Sequence, residues 1–233
     1  MLAMKQRRFR QATITLLLGF LALCVLVPIK AQASSIKELD TYIQKAMRDW
    51  QVPGLAVALV KDDKVVYMKG YGVREIGKNE AVDENTIFPI GSTSKAFTST
   101  AIGLLVQEGK LSWDDRVIDH LKDFQMYDPW VTREIRVRDL LCNRSGLSGL
   151  SEVLWYATDH DRSEIVRRLR YFKPESSFRS QYAYRNCMFL TAGQLIPAVT
   201  GITWDAFLKE RIFQPLNMTR SFTSVRDIKN RDN

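Results

Sequence analysis

The sequence predicts an α+β fold in which an antiparallel β-hairpin precedes a mainly helical region. Two segments, 54–61 and 64–70, have the composition of strands and are joined by Asp62-Asp63, residue types that favour turns. A helical pattern of apolar and small residues covers 92–108, and Gly109 ends it. With 233 residues, 45% of them hydrophobic and 26% charged, the chain is long enough for one domain with a substantial core.

The first 33 residues have the three parts of a secretory signal peptide. Basic residues precede an apolar run from 16 to 27, and Ala31-Gln32-Ala33 follows as a small-residue cleavage site. The apolar run is short for a membrane-spanning helix. We therefore expect cleavage after residue 33 and a periplasmic or secreted protein. The alternative is an uncleaved N-terminus that tethers the chain to a membrane through residues 12–29.

Most of the positive charge belongs to this segment. Removing residues 1–33 removes five basic residues and no acidic one, so the formal net charge falls from +8 to +3. The remaining charge gives no reason to expect nucleic-acid binding. A local basic run at 167–170 is typical of a solvated helix face beside Glu164.

The remaining elements follow in chain order. Residues 36–50 are predicted to form a helix that covers one face of the hairpin, whose almost wholly apolar first strand is typical of a sheet covered on both faces. Residues 119–180 are predicted to alternate between helices and loops. A helix over 188–200 is expected to kink at Pro197, since proline lacks an N–H donor. Residues 220–233 are predicted to be a polar tail.

A serine and a lysine lie one helical turn apart at the start of the helix predicted over 92–108. On a helix, Lys95 lies on the same face as Ser92 and can help to remove the proton that keeps a serine hydroxyl from being a nucleophile. The N–H groups of the first turn favour a developing oxyanion. Ser34-Ser35-Ile36-Lys37 fits the same pattern, so a capping serine beside a solvated lysine is the alternative. The small and apolar residues after Lys95 indicate a buried helix and favour the catalytic interpretation.

A second pattern, Tyr184-Arg185-Asn186, is the only Tyr-x-Asn in the chain. A tyrosine beside an ammonium group has a lowered pKa and can act as a base. An asparagine amide can bind both a lysine and a substrate carbonyl. The alternative is a loop tyrosine followed by a helix-capping asparagine.

These patterns, with three further segments in the same order, resemble the penicillin-recognising serine hydrolases. That family includes class C β-lactamases, D-alanyl-D-alanine carboxypeptidases, D-aminopeptidases and related esterases. The resemblance covers nearly everything from 36 to 219. The segments that carry it, besides Tyr184-Arg185-Asn186, are Gly91-Ser92-Thr93-Ser94-Lys95-Ala96-Phe97-Thr98, Val106-Gln107-Glu108-Gly109-Lys110-Leu111-Ser112-Trp113-Asp114-Asp115, Val137-Arg138-Asp139-Leu140-Leu141-Cys142-Asn143-Arg144-Ser145-Gly146-Leu147 and Glu210-Arg211-Ile212-Phe213-Gln214-Pro215-Leu216-Asn217-Met218-Thr219.

The resemblance implies a β-lactamase/transpeptidase-like fold, a helical region with an antiparallel sheet, in a domain over 34–219. It implies that Ser92 is the acylated nucleophile, that Lys95 and Tyr184 handle its proton, and that Asn186 binds substrate and Lys95. The Ser92 N–H would be half of the oxyanion hole. The resemblance implies a small-molecule or peptide substrate and neither a metal nor an organic cofactor.

Besides Pro197, two departures from the family pattern stand out. Asn143 occupies the position of a family histidine in the Leu-Leu-x-His-x-Ser-Gly-Leu loop, which puts the stability of that loop in doubt. No Lys-Thr-Gly or His-x-Gly segment follows Thr219, so we expect the C-terminal sheet strands and the second oxyanion donor to be missing from this sequence. The hairpin would then keep an open edge.

Other catalytic arrangements find little support in the residues. There is no Gly-x-Ser-x-Gly segment, and the only histidines are His120, in a predicted helix or turn, and His160, between Asp159 and Asp161. Adjacent side chains such as those around His160 point in different directions, which favours a solvated loop over a metal site. After cleavage only Cys142 and Cys187 would remain, and a disulfide between them is conceivable in an oxidising compartment.

Two functions follow as hypotheses. The first is an exported serine hydrolase that cleaves β-lactams, D-amino-acid peptides or esters through an acyl-enzyme at Ser92. The alternative is a non-catalytic remnant or fragment that lacks the Lys-Thr-Gly or His-x-Gly element.

Overall fold

The structure, a computed structural model, describes residues 36–156 and 158–228. It divides into two compact units, and the boundary between them in the sequence lies between Thr86 and Ile87. The predicted signal peptide, 1–33, and the last five residues of the predicted tail lie outside the described residues.

The first unit has one helix and one hairpin. Helix α1 spans Ile36–Asp49, and strands β1 and β2 span Gly54–Lys61 and Lys64–Gly72. Both turn residues between the strands have left-handed backbone, with φ of 50° at Asp62 and 58° at Asp63. A two-residue turn of this kind matches the twist of the strands that it joins. The predicted hairpin and its turn are thus present.

Asp40 anchors α1 on one face of β2. Its Oδ1 accepts hydrogen bonds from the Tyr71 hydroxyl at 2.9 Å, the Tyr67 hydroxyl at 3.2 Å and Lys69 Nζ at 2.5 Å. Residues 67, 69 and 71 alternate along the strand and therefore lie on the same face. One face of the hairpin is covered by a helix, as the sequence predicts.

The other expectation for the hairpin, a sheet covered on both faces, is wrong for the described residues. Within them the sheet has two strands, β1 and β2. Several apolar side chains of this two-stranded sheet are exposed. These are Leu59, Val60, Val65, Val66 and Met68.

The second unit is helical. Its two longer helices form the centre, and shorter helices surround them. The helices in chain order are α2 Ser94–Gln107, α3 Val117–His120, α4 Pro129–Glu134, α5 Val137–Leu141, α6 Val153–Tyr156, α7 Arg162–Arg168, α8 Asn186–Thr200 and α9 Trp204–Leu208. Short 3₁₀ turns precede α2 at Gly91–Thr93 and α6 at Gly149–Glu152.

Helix α8 is the central element because five other helices, α2, α3, α5, α7 and α9, pack on it. Its residues Met188, Leu195 and Ile196 are fully buried, as are Ile102 and Leu105 of α2. A helix that is apolar on most of its surface is stable only when it is enclosed in this way. Packing of α2 against α8 brings the beginnings of both helices together, and those beginnings carry the site.

The helix that contains Pro197 is not interrupted at that residue. Helix α8 continues through Pro197 to Thr200, and Gly201 ends it with a left-handed φ of 76°. The bend lies in the connection that follows, where the next helical segment, Trp204–Phe213, is inclined by 84° to α8. Proline leaves one carbonyl of the preceding turn without a donor, but the close packing of α8 keeps the helix intact. Within the described ranges, no single helix is long and apolar enough to cross a membrane. The bent pair formed by α8 and Trp204–Phe213 is long and apolar enough when the two are taken together, by length and composition only.

The end of the described chain is partly structured. A 3₁₀ turn spans Val225–Asp227, and the Ser224 hydroxyl accepts a hydrogen bond from Arg226 N at 3.1 Å. This part of the predicted polar tail therefore has local structure as far as residue 228.

Candidate active site

Ser92 lies in the 3₁₀ turn that leads into α2. Gly91 precedes it with a left-handed φ of 50°, and a Cβ at this position would meet nothing within 4 Å. Glycine is therefore favoured here by the backbone angle and not by lack of space. The turn leaves the Ser92 side chain exposed, and its N–H belongs to the first helical turn, where backbone donors have no acceptor within the helix.

Lys95 lies one turn along α2 and binds two site residues. Its Nζ donates to Ser92 Oγ at 3.0 Å and to Asn186 Oδ1 at 2.5 Å. The same ammonium lies 4.6 Å from the centre of the Tyr184 ring and 5.4 Å from that of Phe189. Aromatic faces attract a cation, so these rings help to hold the lysine between its two acceptors.

Tyr184 reaches Ser92 from the other side. Its hydroxyl donates to Ser92 Oγ at 2.5 Å. Burial raises the pKa of Tyr184, but its contacts with Lys95 and Ser92 together lower that pKa by more, so the net value lies below the ordinary one for tyrosine. When Tyr184 is ionised the same contact reverses, and the serine hydroxyl donates to the phenolate. The pair is thus arranged for proton transfer.

Asn143 and Arg185 fix the backbone on both sides of Tyr184. Asn143 O accepts from Ala183 N at 2.7 Å, and Asn143 Oδ1 accepts from Arg185 N at 3.1 Å. The Arg185 guanidinium donates to Leu147 O at 2.7 Å and to Tyr184 O at 2.6 Å, and it pairs with Glu175. The departure at position 143 therefore keeps a polar side chain that bonds to the site loop.

Asn186 begins α8, and its amide faces two charged groups. Oδ1 accepts from Lys95, as described, while Nδ2 donates to Glu152 Oε2 at 2.7 Å. Glu152 ends the 3₁₀ turn before α6, and no sequence pattern singles it out. Its partner lies 34 residues away in the chain, so only the packing of the helices brings the two together.

The structure thus brings all four predicted site residues, Ser92, Lys95, Tyr184 and Asn186, into one hydrogen-bonded cluster. A serine whose oxygen contacts an ammonium and a tyrosine hydroxyl can transfer its proton and attack a carbonyl. Sequence reasoning missed Glu152.

The remaining candidate residues have other partners. A ring nitrogen of His120 lies 2.9 Å from Asp115 Oδ2, and His160 N donates to Thr158 Oγ1 at 3.4 Å. In the part of the chain that the structure describes, no group of three or more His, Cys, Asp or Glu side chains could hold a metal ion.

The two cysteines of the described ranges are free. Cys142 is exposed, whereas Cys187 is buried beneath the site and its thiol donates to Ser151 O at 3.3 Å. Burial raises the pKa of the Cys187 thiol to about 12. The conceivable disulfide between them is therefore absent, and Cys187 is a packing residue.

Comparison with known proteins identifies relatives of this arrangement. The family model described as Beta-lactamase matches residues 39–231. The unguisins hydrolase ungD' of Aspergillus campestris is 32% identical over 195 residues, which cover 79% of this chain and 36% of that protein. Protein flp of Staphylococcus aureus strain COL is 28% identical over 189 residues, covering 80% of this chain and 38% of flp. The chain thus spans little more than a third of the length of these relatives.

Solved structures that share the fold include the following two. The octameric penicillin-binding protein homologue from Pyrococcus abyssi is similar with a TM-score of 0.72 and 28% identity, covering 85% of this chain and 47% of that one. FmtA from Staphylococcus aureus has a TM-score of 0.65 at 24% identity, covering 79% of this chain and 49% of FmtA, and its likeness shows the fold alone. The match over 39–231 and the shared β-lactamase/transpeptidase-like fold show that the chain belongs to the Beta-lactamase family, among the penicillin-recognising serine hydrolases.

Proposed function

We propose that this domain hydrolyses amide or ester bonds through an acyl-enzyme in which Ser92 is the nucleophile. The observation that carries the proposal is the double contact on Ser92 Oγ, from Lys95 Nζ at 3.0 Å and the Tyr184 hydroxyl at 2.5 Å. A serine at a helix N-terminus with two such neighbours has the geometry of an activated nucleophile.

In the proposed reaction the Tyr184 phenolate takes the proton of Ser92 as Oγ attacks the carbonyl carbon. The electron pair of the carbonyl moves onto its oxygen, and the Ser92 N–H at the start of α2 stabilises that oxyanion. Collapse of the intermediate expels the amine or alcohol, which receives the proton from Tyr184. Lys95 stays protonated and stabilises the phenolate before transfer.

Hydrolysis of the acyl-enzyme repeats these steps with water. Tyr184 takes a proton from the water, whose oxygen attacks the acyl carbon, and Ser92 leaves with that proton. Asn186 holds Lys95 and offers its amide to the substrate carbonyl. The substrate is a β-lactam, a D-amino-acid peptide or an ester, small enough to reach an exposed serine.

The second candidate is a domain that is acylated but does not turn over. It is favoured by the exposed apolar side chains on β1 and β2, because a two-stranded sheet by itself is only marginally stable. The chain spans less than half of the two related structures. Turnover by residues 34–233 therefore has to be measured separately from acylation of Ser92.

The test is covalent labelling of residues 34–233 by a fluorophosphonate probe, followed by steady-state hydrolysis of a generic ester and a chromogenic β-lactam. Ser92→Ala should abolish labelling, whereas Ser94→Ala should retain it and serves as the matched control within the same motif. Lys95→Ala and Tyr184→Phe should each slow labelling by roughly 10²–10⁴-fold, the usual contribution of proton transfer. Undiminished labelling of Ser92→Ala would place the nucleophile elsewhere, and labelling without turnover would favour the second candidate.

We also propose export to the periplasm or the medium through cleavage of residues 1–33. The basic, apolar and small-residue segments of the N-terminus support it. N-terminal sequencing of the mature protein should begin at Ser34. A protein that keeps Met1 and fractionates with membranes would instead support the tether through residues 12–29.

A further inference from the structure

The Asn186 amide lies between a cation and a carboxylate. Its oxygen accepts from Lys95 Nζ at 2.5 Å, and its nitrogen donates to Glu152 Oε2 at 2.7 Å. A side-chain amide has one accepting and one donating end. Reversing it would place the amide N–H groups against the ammonium and the amide oxygen against the carboxylate. Both contacts would then be repulsive, so the two charges together select one orientation.

Glu152 is itself held in place by groups outside this pair. Trp155 Nε1 donates to Oε2 at 2.7 Å, and Cys187 N donates to Oε1 at 3.4 Å. The 3₁₀ turn that carries Glu152 is tied to α8 through the Cys187 thiol, which donates to Ser151 O at 3.3 Å. A carboxylate fixed by several donors is preorganised, so it can orient a neighbour without first losing its own freedom.

We infer that Glu152 is a positioning residue that fixes the Asn186 amide so that its oxygen holds Lys95 on Ser92. One N–H of the Asn186 amide donates to Glu152, so the second N–H is left to bind a substrate carbonyl. This inference rests on the proposed function for its effect on acylation, but the orientation of the amide can be measured without it.

The Glu152 charge also acts on the base. Tyr184 faces the Lys95 ammonium from α2 and the Glu152 carboxylate from the turn before α6, and Arg185 follows it in the chain. Lys95 lowers the pKa of Tyr184, whereas the negative charge of Glu152 raises it. Removing that charge should therefore lower the pKa of Tyr184 and shift the pH dependence of acylation toward acid.

The first measurement is the rate of Ser92 labelling by the fluorophosphonate probe as a function of pH. Glu152→Ala should slow labelling by about 10- to 100-fold, the loss expected when a charge-assisted hydrogen bond is removed. Glu152→Gln keeps an acceptor for Asn186 but not the charge, so it should lose less rate and shift the midpoint of the profile to lower pH.

The matched control is Glu108→Gln. Glu108 pairs with Arg211 and Lys110 at the other end of α2, about 20 Å along the helix from Lys95. This variant removes the same charge from a different ion pair, so it should leave both the rate and the midpoint unchanged. Equal profiles for wild type, Glu152→Gln and Glu152→Ala would overturn the inference while leaving Ser92 as the nucleophile.

The second measurement does not depend on reactivity. In a ¹H–¹⁵N spectrum the Asn186 side-chain amide is assigned from the signal that disappears in Asn186→Asp. That signal should move in Glu152→Ala and stay in Glu108→Gln. If wild type is not labelled at all, the proposed function fails, yet a displaced Asn186 signal still supports the orientation by Glu152. An Asn186 signal unchanged in Glu152→Ala would overturn it.

Discussion

Replacing Asn143 tests how a departure from the family pattern supports the site. Asn143 has a left-handed φ of 54°, and its Oδ1 accepts from Arg185 N at 3.1 Å. An alanine with left-handed backbone costs about 1–2 kcal/mol, because its Cβ approaches the following carbonyl oxygen. The lost hydrogen bond adds about 1 kcal/mol. Asn143→Ala should therefore lower the free energy of unfolding by about 2–3 kcal/mol, or the Tm by roughly 4–12 °C in a chain of this size.

The assays are thermal unfolding followed by circular dichroism and the labelling rate of Ser92. Because the two Asn143 bonds flank Tyr184, a displacement of about 1 Å could slow labelling by up to about 10²-fold. Asn143→Asp is the control, since aspartate tolerates the same backbone and keeps an acceptor oxygen. If Asn143→Ala and Asn143→Asp unfold at the same temperature, neither the backbone angle nor the bond to Arg185 contributes as reasoned.

Three further outcomes can be checked on the same protein. Hydrogen bonds from Arg211 and then Lys110 lower the pKa of Glu108 from 4.5 to about 2, so its contribution to stability is complete above pH 4.5 and is lost as pH falls toward 2. Glu108→Gln should make the fall of Tm over that range shallower, and an identical curve would contradict this. Iodoacetamide at pH 8 should modify the exposed Cys142 and spare the buried Cys187 until denaturant is added, which peptide mass mapping would reveal. Gly91→Ala should lower the free energy of unfolding, measured in urea, by about 1–2 kcal/mol, because alanine is strained at the left-handed φ of 50° that Gly91 has. An unchanged urea midpoint would show that this backbone angle does not strain the alanine.

The pattern of side chains along the chain determined those elements whose geometry depends only on residues that are close in sequence. The Asp62-Asp63 turn sets its own backbone angles, and the two flanking strands need only pair across it. Ser92 and Lys95 lie three residues apart on one helix, so their contact at 3.0 Å follows from helical geometry once α2 forms. The apolar and small residues of α2 also indicated correctly that the helix would be buried.

The contacts of Tyr184 with Ser92 and of Asn186 with Lys95 could not be predicted from spacing along the chain. Each residue lies more than 90 residues from its partner, and the Tyr-x-Asn pattern indicated their chemistry but not their contact with Ser92 and Lys95, which the family resemblance implied. Packing of α8 on α2 brings them there, because burying two apolar helices against each other fixes the relative position of their first turns.

Only the tertiary structure could identify Glu152 or locate the bend after α8. Nothing near Glu152 in sequence marks it, since its role depends on an amide that is held by a different helix. Packing also explains why Pro197 does not end α8: proline removes one local hydrogen bond, and the helices packed on α8 keep it helical as far as Thr200. Local spacing determines short-range geometry, whereas contacts between distant residues depend on which surfaces are buried together.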